Sequence, residues 1–251
     1  MKIKVLDHGY VEFIEAWGTG KAGATALSEH RTSGSQIPVS ADYEVGIIEA
    51  ARQSTQGNFR GWNNDAKLLA YLYNNQHSTP FEFAGMVVEV QAPIFVFREW
   101  QRHRTQSFNE MSARYTALPD LYYYCNEDEV VERANAVSTN KQAGSVAPVN
   151  ERAIREWVET DLALNQLLED HYQRGLAVGV PKELARKKMP VDHYSRMRAS
   201  ANLRNWLAFM TLRCAPNAQK EIRMFANAVS QIVEATFPQT HRLWLGKDSP
   251  Y

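Results

Sequence analysis

The spacing of apolar residues changes several times along the chain, and each spacing predicts an element. Residues 2–17 alternate loosely, with Ile3, Val5, Val11 and Phe13 apolar, and predict one or two strands around Asp7-His8-Gly9. In 42–54, Val45, Ile48 and Ala51 recur at helical spacing. After a turn rich in Gly and Asn over 56–64, a second helix at 64–75 buries Leu68, Leu69, Leu72 and Tyr73. Thr79-Pro80 stops it, because the residue before proline is pushed out of the helical region. Residues 86–92 alternate as a strand, and 92–101 predict a helix that begins in a strongly apolar run.

Further on, 121–124 (Leu-Tyr-Tyr-Tyr) predict a short aromatic strand, and the polar 126–149 a variable excursion. A long amphipathic helix over 151–174 follows, with the stripe Ile154, Trp157, Val158, Leu162, Leu164, Leu167, Leu168 and Tyr172. Pro181 opens a short helix carrying Lys182 to Lys188. Residues 191–199 predict a strand, and 202–213 and 218–237 two closing helices. The mixture predicts a single α+β domain spanning 1–251, with a mixed helix and strand core and the long amphipathic helices in its C-terminal half.

One stretch fits neither period. Residues 102–115, RHRTQSFNEMSARY, hold three arginines, a histidine and a glutamate directly after the apolar run. Arginines this close repel unless anions lie among them, and Glu110 neutralises only one. A bound phosphate or carboxylate suits the guanidinium fork, and a solvated, salt-bridged turn is the plainer alternative. Gly18-Thr-Gly20-Lys-Ala-Gly23, with Asp42 downstream, has the form of a dinucleotide fingerprint. The segment after it is too broken for a crossover helix, so a loop is expected there.

Composition narrows the classes. The 251 residues are 44% hydrophobic, enough for a sizeable core, and Lys+Arg 28 balances Asp+Glu 28. Zero net charge disfavours a general nucleic-acid binder. Apolar runs fall short of the ~18 residues of a membrane span, and the first residues lack a signal-peptide core. Cys125 and Cys214 lie far apart with no C-x-x-C spacing, so neither a disulfide framework nor a zinc site is expected. The expected setting is reducing and cytoplasmic.

The arginine-rich stretch resembles the signature of the flavin-dependent thymidylate synthases. R-H-R-x-x-S-x-N-E-x-S-x-R-Y is matched at Arg102, His103, Arg104, Ser107, Asn109, Glu110, Ser112, Arg114 and Tyr115. Further stretches are similar to other elements of that family: Ala51-Arg-Gln-Ser54, His77-x-Thr-Pro-Phe-Glu82, Arg186-Lys-Lys-Met-Pro190, Asn202-Leu-Arg204, and Leu212-Arg213 before Ala218-Gln-Lys-Glu-Ile222. Glu99, Ala208 and Asn217 depart from the family's common residues.

The resemblance implies methylation of dUMP to dTMP, with 5,10-methylenetetrahydrofolate as carbon donor, FAD as hydride carrier and NADPH as reductant. It implies a homotetramer with active sites shared between subunits, and no nucleic-acid or membrane partner. For FAD it points to Ser54, His77, Thr79, Glu82, Arg102, His103, Arg104, Asn109, Glu110, Asn202, Arg204 and Ala208. For dUMP it points to Glu99, Arg102, Glu110, Ser112, Ala113, Arg114, Arg186 and Arg213, with Arg213 catalytic and Arg186 reaching a neighbouring subunit. No metal is expected. Two other readings stay open: a nicotinamide-dependent dehydrogenase built on Gly18 to Gly23, and a non-catalytic nucleotide or single-stranded RNA binder that stacks bases on Tyr122 to Tyr124.

Overall fold

The computed structural model describes residues 1–21, 42–55, 57–136 and 148–246. The chain is α+β. Five antiparallel strands form one sheet in the order β1-β2-β3-β5-β4, with β1 at Lys2–Val5, β2 at Gly9–Trp17, β3 at Gly85–Pro93, β4 at Ser107–Glu110 and β5 at Tyr194–Asn202. Nine helices occur among the described residues: α1 Val45–Ala51, α2 Trp62–Asn74, α3 Ile94–Trp100, α4 Glu127–Asn135, α5 Glu151–Ala177, α6 Lys182–Ala185, α7 Leu203–Arg213, α8 Lys220–Thr236 and α9 Pro238–Trp244. None is long and apolar enough to cross a membrane.

The sheet buries one face. Met86, Val88 and Val90 of β3 pair directly with Ala201, Ala199 and Met197 of β5, and all six side chains are buried. Cross-strand partners point to the same side, so these residues form a continuous apolar surface. Against it lie Trp206, Phe209 and Met210 of α7 and Phe225, Val229 and Ile232 of α8. The other face carries charge: Glu89 accepts from Tyr10 Oη at 2.9 Å and lies opposite Arg198.

Gly18 ends β2 with φ of +126°, a conformation that side-chain-bearing residues avoid. Its carbonyl accepts from Gly46 N at 2.6 Å, tying the start of α1 to the end of β2. The first glycine of the apparent fingerprint therefore makes a tight turn within an antiparallel sheet, where a dinucleotide fold needs a parallel strand–helix–strand unit. The rest of that segment, from residue 22 to 41, lies outside the described residues.

Several expectations are corrected. The aromatic stretch 121–124 forms only an isolated bridge, Tyr122 to His193. The excursion 126–149 begins with α4, capped by Asn126, whose side chain accepts from Glu129 N; residues 137–147 lie outside the described residues. In α5, Val158 and Tyr172 are buried, but so are Asn165 and Glu169, while Trp157, Leu162, Leu164 and Leu167 are exposed. The inward polar pair is satisfied: Tyr122 Oη donates to Glu169 at 2.7 Å and Asn165 Nδ2 donates to Asp192 at 2.7 Å. The helix α9 was not expected. It follows α8 directly, with Pro238 in its first turn and the buried Glu44 accepting from Gln239 N and Thr240 N at 2.9 and 2.6 Å.

Candidate active site

The arginine-rich stretch is a turn followed by a strand. Trp100, fully buried at the end of α3, stacks on Phe209 at 4.6 Å between ring centroids. Its indole N–H donates to Gln106 Oε1 at 2.9 Å, which closes the turn over the core. Arg102 and Arg104 sit in that turn with exposed side chains, and neither has a side-chain partner among the described residues. Burial below and free cations above suit an anion site.

β4 then separates two residues that the sequence places side by side. Asn109 pairs with Arg198 on the open face of the sheet, whereas Glu110 pairs with Met197 on the helix-covered face. There Glu110 accepts from Gln101 Nε2 at 3.2 Å. Strand alternation thus sends Asn109 and Glu110 in opposite directions.

Arg213, the last residue of α7, is held on every nitrogen. Its Nε donates to His103 Nε2 at 2.9 Å, Nη1 to Glu99 Oε2 at 2.5 Å, and Nη2 to the Glu99 carbonyl at 2.9 Å. A guanidinium has five N–H groups, so one hydrogen on each Nη remains for a ligand. Its side chain is 18% exposed, and that of Glu99 40%. Burial, and then the Arg213 charge, hold the His103 imidazole below its ordinary value, with Glu99 pulling the other way. Among the expected site residues, Glu99, His103 and Arg213 form one constellation, built from α3, the turn and α7.

Two adjoining clefts of about 390 and 480 Å³ share Leu72, Gln76 and Ser78, and the first is lined by Arg204 and Leu207 of α7, the helix that ends at Arg213. The second is also lined by Ala50, His77, Thr79 and Phe83. Glu82 pairs with Arg204 of the first cleft. Phe83, His77 and Thr79 are exposed into this region. Asn202 caps α7, its side chain accepting from Asn205 N at 3.0 Å, and Ala208 is exposed one turn after Arg204. Ser54 lies in the exposed turn Gln53–Thr55, just after Ala50 and Ala51 of the second cleft. An apolar floor with one cation and several hydroxyl and amide groups fits a flat ring system with polar edges and an anionic tail.

A third group gathers where the arginine-rich stretch ends. Ser112 Oγ accepts from Arg114 N at 3.3 Å, Ala113 is buried, and Arg114 bonds Glu183 of α6. Lys182 donates to the Tyr115 carbonyl at 2.9 Å. Arg186, half-buried, follows α6 immediately, and Lys187 and Lys188 point to solvent. No hydrogen bond or ion pair among the described residues joins this group to Arg213. Glu183, Lys182 and Asn205 were not singled out from sequence; only the Asn-x-x-Asn spacing of 202–205, a capping pattern, signals one of them. Both thiols are pushed up by burial, Cys214 to about 11, so neither is primed as a nucleophile.

A cationic, cleft-lined site of this kind on an α+β sheet suits an anionic ligand that carries a flat ring. Residues 37–239 match the family model described as thymidylate synthase complementing protein. The chain is 34% identical over 242 residues to a flavin-dependent thymidylate synthase of Thermus thermophilus, covering 95% of this chain and 76% of that one. It is 31% identical over 240 residues to the flavin-dependent thymidylate synthase of Anaplasma marginale, covering 96% and 73%. It is also similar to the solved UMP/dUMP methylase PolB from Streptomyces cacaoi bound with 5-Br dUMP: TM-score 0.74, 26% identity, 99% of this chain and 100% of that one. The chain belongs to the flavin-dependent thymidylate synthase family and is a flavin-dependent methyltransferase.

Proposed function

We propose that this chain, acting as one domain, methylates dUMP at C5 to give dTMP, using 5,10-methylenetetrahydrofolate, FAD and NADPH, in the cytoplasm. The observation that carries the reading is the pinned Arg213 fork at the end of α7, the helix that lines the first cleft. Flavin, when bound, supplies the hydride. Arg204, Ser78, Thr79 and His77 offer it polar edges, Leu72, Leu207 and Phe83 an apolar floor, and Arg102 and Arg104 charge for its pyrophosphate. Arg213 directs its two remaining N–H groups at the carbonyl edge of the uracil. There a fixed positive charge stabilises the electron density that builds as C5 becomes nucleophilic, with no reorganisation cost at that moment. Arg114, Ser112, the Ala113 N–H and Arg186 are placed to hold the substrate phosphate.

The assembly is a homotetramer in this reading. Two observations support it: no hydrogen bond or ion pair among the described residues joins the phosphate group of residues to Arg213, and α5 leaves Trp157, Leu164 and Leu167 facing outward. A second reading, that UMP is also accepted, is favoured by the likeness in fold to PolB, a UMP/dUMP methylase. The test is to incubate the flavin-loaded protein with the folate, NADPH and either nucleotide, and identify the product by mass. A 14 Da gain (the mass of an added CH2) on dUMP supports the main reading, and the same gain on UMP supports the broader one. Flavin reduction by NADPH without methylation of either nucleotide defeats both.

A further inference from the structure

The geometry points to a positioning residue for this reaction: His103, neutral and protonated on Nδ1, aims the Arg213 guanidinium, while Glu99 closes its other side. The tautomer follows from the contact. Arg213 Nε carries a hydrogen and has no lone pair to offer, so the His103 nitrogen 2.9 Å away must be the acceptor. The remaining ring nitrogen then holds the proton. The ring itself is fixed, packed edge-on against buried Phe209 at 4.9 Å, and its backbone N–H is bonded to the Trp100 carbonyl at 3.0 Å. Glu99, from the last turn of α3, gives Arg213 both a carboxylate and a main-chain oxygen. The fork therefore meets three acceptors from two rigid elements, and its free edge has one orientation.

Protonation of His103 dismantles this arrangement. Nε2 becomes a donor facing a donor, and a second positive charge appears beside Arg213. The charged groups that face the ring are Arg213 from α7 and Glu99 from α3; Arg102 and Arg104 flank it on its own turn and are exposed. Burial and Arg213 both favour the neutral ring, which keeps the clamp assembled at neutral pH.

The activity arm of the test rests on the methylation reading; the spectroscopic arm does not. Flavin-loaded protein labelled with 15N in histidine is titrated by NMR as wild type, His103→Gln and Arg213→Ala. His103→Gln assigns the resonance. The expected result is an unprotonated Nε2 at neutral pH, with a midpoint below the ordinary ~6.5 that rises in Arg213→Ala. A protonated Nε2 in the neutral form, or a midpoint that ignores Arg213→Ala, overturns the proposal. If His103→Gln does not fold, the resonance that moves in Arg213→Ala decides.

In the activity arm, wild-type kcat falls about tenfold per pH unit below that midpoint. The amide of His103→Gln still accepts but does not titrate, so that limb disappears. The dUMP phosphate, with its pKa near ~6, contributes equally to both enzymes. A limb that persists unchanged in His103→Gln overturns the positioning role even if methylation is established. Absence of any methylated product defeats the methylation reading and leaves the NMR result to judge His103.

Discussion

Arg114 and Glu183 are joined by a fork: Arg114 Nε and Nη2 lie 3.2 and 3.1 Å from the same carboxylate oxygen. The pair brings the end of the arginine-rich stretch against α6 and thus near Arg186. Both side chains are more than half exposed, 57% and 53%, and exposed pairs contribute under about 1 kcal/mol. Arg114 therefore contributes little to stability, and in the proposed reading it holds the substrate phosphate. Arg114→Ala should melt within a degree or two of wild type, yet bind dUMP at least ~10-fold more weakly by calorimetry, about 1.4 kcal/mol. A large loss of melting temperature with unchanged affinity would make it a structural residue.

The proposed sharing of sites between subunits gives a second expectation. Arg186→Ala and Arg114→Ala chains should each be nearly inactive alone. Hybrid tetramers formed from both should recover activity, because some sites then receive both arginines. Recovery is measured by dTMP formation in hybrids verified by native mass spectrometry. Hybrids as inactive as their parents would place both arginines in the site of a single chain.

The outward face of α5 bears on the assembly itself. Trp157, Thr160, Leu164, Leu167 and His171 follow a three-four spacing along one side, and Trp157, Leu164 and Leu167 are 60%, 49% and 58% exposed. A seam of that kind on a helix suits packing against another helix. Leu164→Glu/Leu167→Glu should lower the oligomeric state in light scattering while leaving helical circular dichroism intact. An unchanged tetramer moves the interface elsewhere.

These leucines also show where sequence reading succeeds and fails. Met86, Val88 and Val90 alternate because one face of β3 is covered, and that strand was legible. Leu164 and Leu167 belong to an equally regular apolar stripe but face outward, while Asn165 and Glu169 are the residues that point inward, and periodicity alone does not tell which face is covered. β4 was hidden because Ser107 and Asn109 face the open side and give no apolar alternation. The contacts between Arg213, His103 and Glu99 span more than a hundred positions, a relation no local period encodes. The motif resemblance identified the arginine; only the fold shows what holds it.

Glu44 gives a pH-dependent expectation. It is fully buried, and burial pushes its carboxyl up to about 7, against the hydrogen bonds from Thr240 and Gln239 that favour the charged form. An acid with a raised pKa binds its proton more readily in the folded state. Its contribution is therefore largest below the unfolded value near 4.5 and is lost as pH rises toward 7. The change is at most about 3 kcal/mol. Glu44→Gln keeps the shape and one acceptor without the titration, so it should gain melting temperature relative to wild type between pH 4.5 and 7.5. A difference that stays constant over that range contradicts this account.

The central claim is that Arg213 acts on the substrate base, and it is tested by measuring flavin reduction and dTMP formation separately in Arg213→Ala and Arg213→Lys. Loss of a well-placed transition-state donor costs about 3 kcal/mol, roughly a hundredfold in rate. Lysine keeps the charge without the planar fork, and so cannot meet His103, Glu99 and the base together. Both variants should fold, bind flavin and accept electrons from NADPH at near wild-type rates, while dTMP formation falls about a hundredfold or more. Near wild-type dTMP formation would reduce Arg213 to a helix-end cation paired with Glu99, and collapse of flavin binding would assign it to the cofactor; either result contradicts the claim.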